Sequence, residues 1–173
     1  MTAGRRGQSP PGGTAPLQNS GKAGIIVSIN ISRKKGQAKT PVLEAVVIAG
    51  EGVEGDAHRG FARRQVSLLM MESIDEQKSR IGDGPGLTIG PGTYAENFTT
   101  RGVDLKNLKI GDEFLIRGEN GIVRLRVSQI GKECHTKCAI FKLAGDCIMP
   151  ESGIFCEVLE GGTVRVGDRI EKR

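Results

Sequence analysis

The chain has 173 residues, enough for one domain with a sizeable core and too few to expect two. It holds 26 glycines, one tyrosine and no tryptophan, so it turns often and its core must be aliphatic. The formal charge of +5 falls to +2 once Arg5, Arg6 and Lys22 near the N-terminus are set aside, and with so few aromatic rings to stack on bases a nucleic-acid partner is not expected.

No run of about 18 apolar residues occurs, so no membrane span is predicted, and the N-terminus lacks the apolar core of a signal peptide. A cytoplasmic location follows as the expectation, and there clustered cysteines stay free or metal-bound rather than bridged. Residues 1–23 combine Ser9-Pro10-Pro11 and Gly12-Gly13 with scattered Ser, Thr and Gln. That composition cannot bury enough apolar area to offset its ordering entropy, so it is read as a flexible tail, and residues 24–173 as one domain.

The domain opens with Gly24-Ile25-Ile26-Val27-Ser28-Ile29-Asn30, a β-branched run that reads as a strand. Ser32 to Lys39 reads as a solvated basic loop; Pro41 restarts an extended segment through Ile48, and Ala49-Gly50-Glu51-Gly52 marks a turn. Gly52 to Gly60 places Asp56, His58 and Arg59 between glycines, either as a loop whose side chains bond nearby backbone amides or as part of a binding site. Gln65 to Met70 is a further strand. A helix follows, with a capping box at Ser73-Ile74-Asp75-Glu76 and a stop at Gly82.

From Gly82 to Gly92, five glycines and two prolines make a loop. It delivers the chain to Tyr94-Ala95-Glu96-Asn97-Phe98-Thr99-Thr100, dense in hydrogen-bonding side chains, which reads as a solvated turn or as a wall of a polar ligand pocket. Leu108 to Phe114 and Val164 to Ile170 repeat one pattern, a Gly-Asp turn leading into a strand. Phe114 to Arg117 and Ile122 to Val127 alternate across Asn120-Gly121, a hairpin signal. Ile154 to Leu159 and the final strand likewise flank Gly161-Gly162. Many short strands with one or two short helices predict a mainly β protein, a closed or nearly closed β-barrel.

All four cysteines, at 134, 138, 147 and 156, fall in one stretch with His135, one of two histidines. Neighbouring Lys132, Lys137 and Lys142 favour the thiolate, which is both the nucleophile and the soft metal ligand. The spacing, Cys-x3-Cys followed by two gaps of eight residues, fits no zinc ribbon and no iron-sulfur pattern. Cys156, inside a strand, reads as a small buried hydrophobe. Cys134 and Cys138 follow a strand and sit among lysines, which makes them the candidate reactive thiols.

Six segments together resemble a MOSC domain of the short stand-alone bacterial type: Gly55-Asp56-Ala57-His58-Arg59-Gly60, Gln65 to Leu69, Glu96 to Gly102, Ile110-Gly111-Asp112, Gly131-Lys132-Glu133-Cys134-His135, and Gly145 to Pro150. The family is named for the C-terminal domain of molybdenum cofactor sulfurases. The resemblance implies a compact β-barrel that binds a molybdenum cofactor (molybdopterin), or carries sulfur for one as a persulfide. It implies a cysteine ligand to molybdenum, for which Cys138, preceded by Lys137, ranks first and Cys134 next. Cys138, Cys134 and His135 are thus the expected catalytic group, with Asp56, His58, Arg59, Glu96, Asn97, Thr99 and Lys132 about the cofactor. The activity implied is a molybdenum-dependent oxidoreductase or a sulfur or cofactor transferase, with cofactor-biosynthesis or sulfur-donor proteins as partners.

Zinc held by the same thiols is the alternative. Pyridoxal phosphate is not expected, because a Schiff-base lysine needs a phosphate cup beside it and the sequence offers none. No membrane partner is expected either. The oligomeric state is left open, with edge strands that could pair in a dimer.

Overall fold

The computed structural model describes residues 23–83, 86, 88–119, 121–133, 141–142 and 145–173. Strand β1 (Gly24–Ile31) begins the fold, followed by β2 (Thr40–Val42), β3 (Glu44–Ile48), β4 (Gly52–Val53), β5 (Val66–Met70) and helix α1 (Met71–Ile81). Then come β6 (Phe98–Arg101), β7 (Glu113–Gly118), β8 (Gly121–Ile130), the one-turn helix α2 (Met149–Ser152), β9 (Ile154–Glu160), β10 (Gly162–Arg165) and β11 (Arg169–Lys172). The tail reading covers residues 1–23, of which 1–22 lie outside the described residues, as do Cys134, His135 and Cys138.

Seven strands close into a barrel in the order β11-β7-β8-β9-β5-β6-β1, with β1 returning to β11 and β2 appended to β1 as an outrigger. The predicted mainly β barrel with short helices is what forms, and the barrel is closed. Its neighbours run antiparallel except β5 and β6, whose parallel pairing sets Leu68 beside Phe98. Parallel neighbours cannot be joined by a tight turn, and α1 with the loop behind it supplies the crossover.

Alternation explains the core. On β8, Val123, Leu125 and Val127 point inward, and with Ile26, Ile29, Phe114, Ile116 and Ile170 they fill the barrel. Strands β5 and β9 are buried on both faces. Val66, Leu68, Ile154 and Cys156 enter the barrel, whereas Leu69 and Phe155 face outward into a second cluster with Ile74, Tyr94 and Met149. This outer cluster positions the site.

The two Gly-Asp repeats are one structural device used twice. Gly111 and Gly167 both sit at φ +97°, and the Oδ2 atoms of Asp112 and Asp168 accept from the backbone N–H of Lys109 and Arg165, each at 2.8 Å. The β7–β8 hairpin pairs Gly118 with Gly121, as the Asn-Gly signal predicts.

Three expectations differ. β9 and the strands after Gly161-Gly162 do not pair with each other, because β10 leaves the barrel to join β3 and β4 in a small second sheet. Helix α1 begins at Met71, with Met70 at its N-cap, so Ser73 is buried in the first turn and caps nothing. The apolar stripe carrying Ile74 is seated by β5, and that packing overrides the capping signal. Gly82 does end the helix, its N–H donating to the Lys78 carbonyl at 2.8 Å. Finally, Lys39 closes the basic loop but is only 5% exposed, since its ammonium turns inward to a carboxylate.

Candidate functional site

A cavity of about 250 Å³ lies on the outer face of the β5–β9 pair. Its floor follows from register: Ser67 lies opposite Phe155, and both point away from the barrel because their neighbours Val66, Leu68, Ile154 and Cys156 fill it. Tyr94, Ala95 and Asn97, from the segment leading into β6, form one wall, with Met149 of α2 close by. The loop after β1 contributes Lys35, and the connection from β4 to β5 contributes His58, Phe61 and Arg64. Lys132 and Cys147, which flank the Cys134–Cys138 segment in sequence, complete it.

His58 is held by a buried acid. Asp56 Oδ1 accepts from the His58 backbone N–H at 3.0 Å and lies 3.3 Å from His58 Nδ1, while Oδ2 accepts from the Ser32 N–H at 3.1 Å and from Lys39 Nζ at 2.7 Å. Burial alone would raise the Asp56 pKa, but the hydrogen bond to His58 and the charge of Lys39 outweigh it and keep the carboxyl well below the usual range. Burial draws Lys39 downward against the pull of Asp56. The Asp56 carboxylate fixes the orientation of the ring through Nδ1, which leaves Nε2 as the ring nitrogen not engaged by Asp56. The ring edge also packs against Phe61 at 5.5 Å.

Behind the wall runs a second buried network. Ser28 Oγ donates to Asn30 Oδ1 at 2.8 Å, Asn30 Nδ2 to Thr99 Oγ1 at 3.2 Å, and Thr99 Oγ1 to Glu96 Oε1 at 2.8 Å, where the Gly92 N–H also arrives at 2.6 Å. Burial raises the Glu96 pKa, opposed first by the Gly92 N–H. Its Oε2 finds no partner among the described residues. Asn97 is locked between the two layers: its Oδ1 accepts from the Ser67 N–H and Oγ, both at 3.1 Å, and its Nδ2 donates to the Asn30 carbonyl at 3.3 Å. Ala95 adopts φ +65°, the one positive φ on a non-glycine residue among the described ones, and it lies on the cavity wall. Such a conformation costs on the order of 1–3 kcal/mol and persists only where surroundings enforce it.

Of the residues anticipated from the sequence, His58, Asn97 and Lys132 line this cavity, and Asp56 supports it from beneath. Glu96 and Thr99 belong to the network behind the wall. Arg59 turns instead to Glu51, at 2.6 Å on the surface. The sequence reading passed over Lys35 and Cys147 as cavity residues, whereas Tyr94 opens the stretch read either as a solvated turn or as a pocket wall. One signal was available: Cys147 sits within the cysteine stretch.

The electrostatics of the cavity are one-sided. Three cations and a histidine line it, no carboxylate does among the described residues, and Lys35, Arg64 and Lys132 form no ion pair there. Lys35 and Arg64 rest on the Phe61 and Phe155 rings, at 4.2 and 5.9 Å from their centroids. Tyr94 is 2% exposed, its hydroxyl finds no partner among the described residues, and its pKa is pushed up to about 12 by burial and then by the neighbouring Cys147. The phenol therefore stays a donor. Cation rim, phenol donor and thiol together suit a compact anionic ligand with a soft centre.

A closed β-barrel bearing an electropositive, thiol-lined cavity on its outer face is the class these observations define. The model for the MOSC domain matches residues 55–171, and the chain belongs to that family, which is generally linked to molybdenum cofactor sulfurase-type function. Among solved structures, the YuaD protein of Bacillus subtilis is similar at 22% identity with a TM-score of 0.70, over 87% of this chain and 95% of that one. YiiM of Geobacillus stearothermophilus aligns at 22% identity and a TM-score of 0.61, over 87% and 75% of the two chains. YiiM of Escherichia coli aligns at 20% and 0.62, over 87% and 69%. At these identities the likeness shows the shared fold. No curated protein matches the chain. No helix among the described residues is long and apolar enough to cross a membrane.

Proposed function

We propose that this protein is a molybdenum-cofactor-binding module in which a thiolate of the Cys134–Cys138 segment ligates the metal, Cys138 first and Cys134 next. The observation that carries the reading is the cavity itself. Lys132 and Cys147, which flank that segment in sequence, line it, with three cations that have no carboxylate partner and a buried phenol that has no partner among the described residues. This donor set fits the group: the anionic, sulfur-rich end of a molybdopterin needs positive charge, hydrogen-bond donors and a soft ligand in one place. When bound, the cofactor would supply two-electron chemistry with transfer of oxygen or sulfur.

The chain's own residues have separate tasks. Lys35, Arg64 and Lys132 bind and orient the anion, and Phe61, Met149 and Phe155 exclude water. His58, fixed by Asp56, holds or accepts a proton at Nε2. Proteins of cofactor assembly or sulfur donation are the partners that fit this role.

The test is elemental and intact-mass analysis of protein expressed in a molybdate-supplied, cofactor-competent host. Molybdenum near one per chain, lost in Cys138→Ser or in the Cys134→Ser, Cys138→Ser double variant, is the expected result. Full molybdenum retention in the double variant would overturn the ligand assignment. Molybdenum absent, with a mass increment of one sulfur on either cysteine, would make the protein a persulfide carrier. Stoichiometric zinc on the same thiols would make it a zinc-stabilised module.

A further inference from the structure

Cys147 is the thiol that the structure places in the cavity, and the cofactor reading gives it no task. It is half-buried and shares the cavity lining with Tyr94. Its neighbour Asp146 accepts the Cys147 backbone N–H on Oδ1 at 2.8 Å, while its Oδ2 is engaged by Arg80 and Gln77 on α1. Lys35, Arg64 and Lys132 line the same cavity, and cations near a thiol favour the thiolate, the form that attacks. The same cations would draw an anion to it, and the buried Tyr94 hydroxyl stands ready to donate to a negative leaving group.

We infer that Cys147 is a reactive thiol of this cavity, selective for small anionic disulfides. In the exchange, the Cys147 thiolate sulfur attacks one sulfur of the disulfide. The S–S bond breaks, a mixed disulfide forms on Cys147, and the other half departs as a thiolate whose charge is met by Lys132, Arg64 and the Tyr94 hydroxyl. The disulfide is the oxidant and no further reactant is needed. The buried Cys156 stands apart: burial pushes its thiol far up in pKa and keeps it inert. This inference is independent of whether molybdenum binds.

The test uses the full chain carrying Cys134→Ser and Cys138→Ser, so that Cys147 and Cys156 are the thiols left. Two reagents are compared near neutral pH, dithiobis-nitrobenzoate, which carries two negative charges, and the neutral dithiodipyridine. The ratio of their rates cancels any change in thiolate fraction and isolates attraction of the anion. One equivalent should react in the native protein and vanish on adding Cys147→Ser, with circular dichroism confirming the fold. The anionic-to-neutral ratio should exceed that of a free thiol, and fall about threefold for each of Lys132→Gln and Arg64→Gln. Tyr94→Phe should lower it too. A native protein in which Cys147 fails to react, or a ratio that removal of the cations leaves unchanged, overturns the proposal.

Discussion

The buried pair of Lys39 and Asp56 is the most demanding contact beneath the site, and replacing Lys39 by Met tests how much depends on it. The two side chains are 1% and 0% exposed and meet at 2.7 Å, so the substitution leaves a carboxylate buried without its cation. Removing one member of such a pair costs about 3–5 kcal/mol. Asp56 would keep three N–H groups, from Ser32 and from the backbone and ring of His58, which places the expectation at the low end, about 3 kcal/mol. For a chain of this size that is roughly 6–12 °C in Tm. The sign with pH follows from the depressed folded pKa of Asp56. Its stabilisation is present above the unfolded carboxyl value of about 4 and is lost as pH falls toward the folded value. In Lys39→Met the carboxyl takes up a proton more readily, so the deficit relative to wild type should shrink between about pH 7 and pH 4. Urea unfolding followed by circular dichroism suits a chain without tryptophan. A loss below about 1 kcal/mol, as for an exposed pair, or a loss that does not change with pH, would refute the reasoning.

Glu96 should show the opposite pH behaviour. Its folded pKa is raised by burial, so its contribution is full below the unfolded value of about 4.3 and lost as pH rises toward the folded one; Glu96→Gln should therefore gain stability relative to wild type as pH increases, read by the same unfolding curves. Gly131 sits at φ +68°, and a Cβ there would come 2.2 Å from the Pro150 carbonyl oxygen. Gly131→Ala should cost on the order of 2 kcal/mol or more in thermal unfolding and disturb the entry to the Cys134 segment. Gly92→Ala meets the Lys39 carbonyl at 2.3 Å with φ +81° and should loosen the basic loop, seen as faster amide exchange at Lys39, whose N–H donates to Gly92. In native protein, Cys156 should resist both thiol reagents until the chain unfolds.

The barrel was legible because its signals are local. Period-2 alternation over Ile122 to Val127, the Asn-Gly hairpin and the paired Gly-Asp turns each specify a piece of backbone without reference to distant residues. What escaped depended on long-range pairing. Nothing in the run around Lys39 distinguishes an ammonium that turns inward from its solvated neighbours, since the partner lies three strands further on, in the connection from β4 to β5. The final hairpin was misread because a Gly-Gly corner looks alike whether the next strand folds back or joins another sheet. In the site, His58, Asn97 and Lys132 came from motifs and Tyr94 from its polar stretch, whereas Cys147 joins them only because β5 and β9 present their outer faces to one side.

Closure of the barrel by β1 against β11, Gly24 to Ile170, has a consequence for how the protein is made. The first strand to leave the ribosome must wait for the last one before its open edge is covered. Strand β2 covers the Ile29–Ile31 end of that edge early, but until β11 arrives the Gly24–Ile25 end offers unpaired backbone groups to any extended chain nearby, and that delay lengthens its exposure to aggregation.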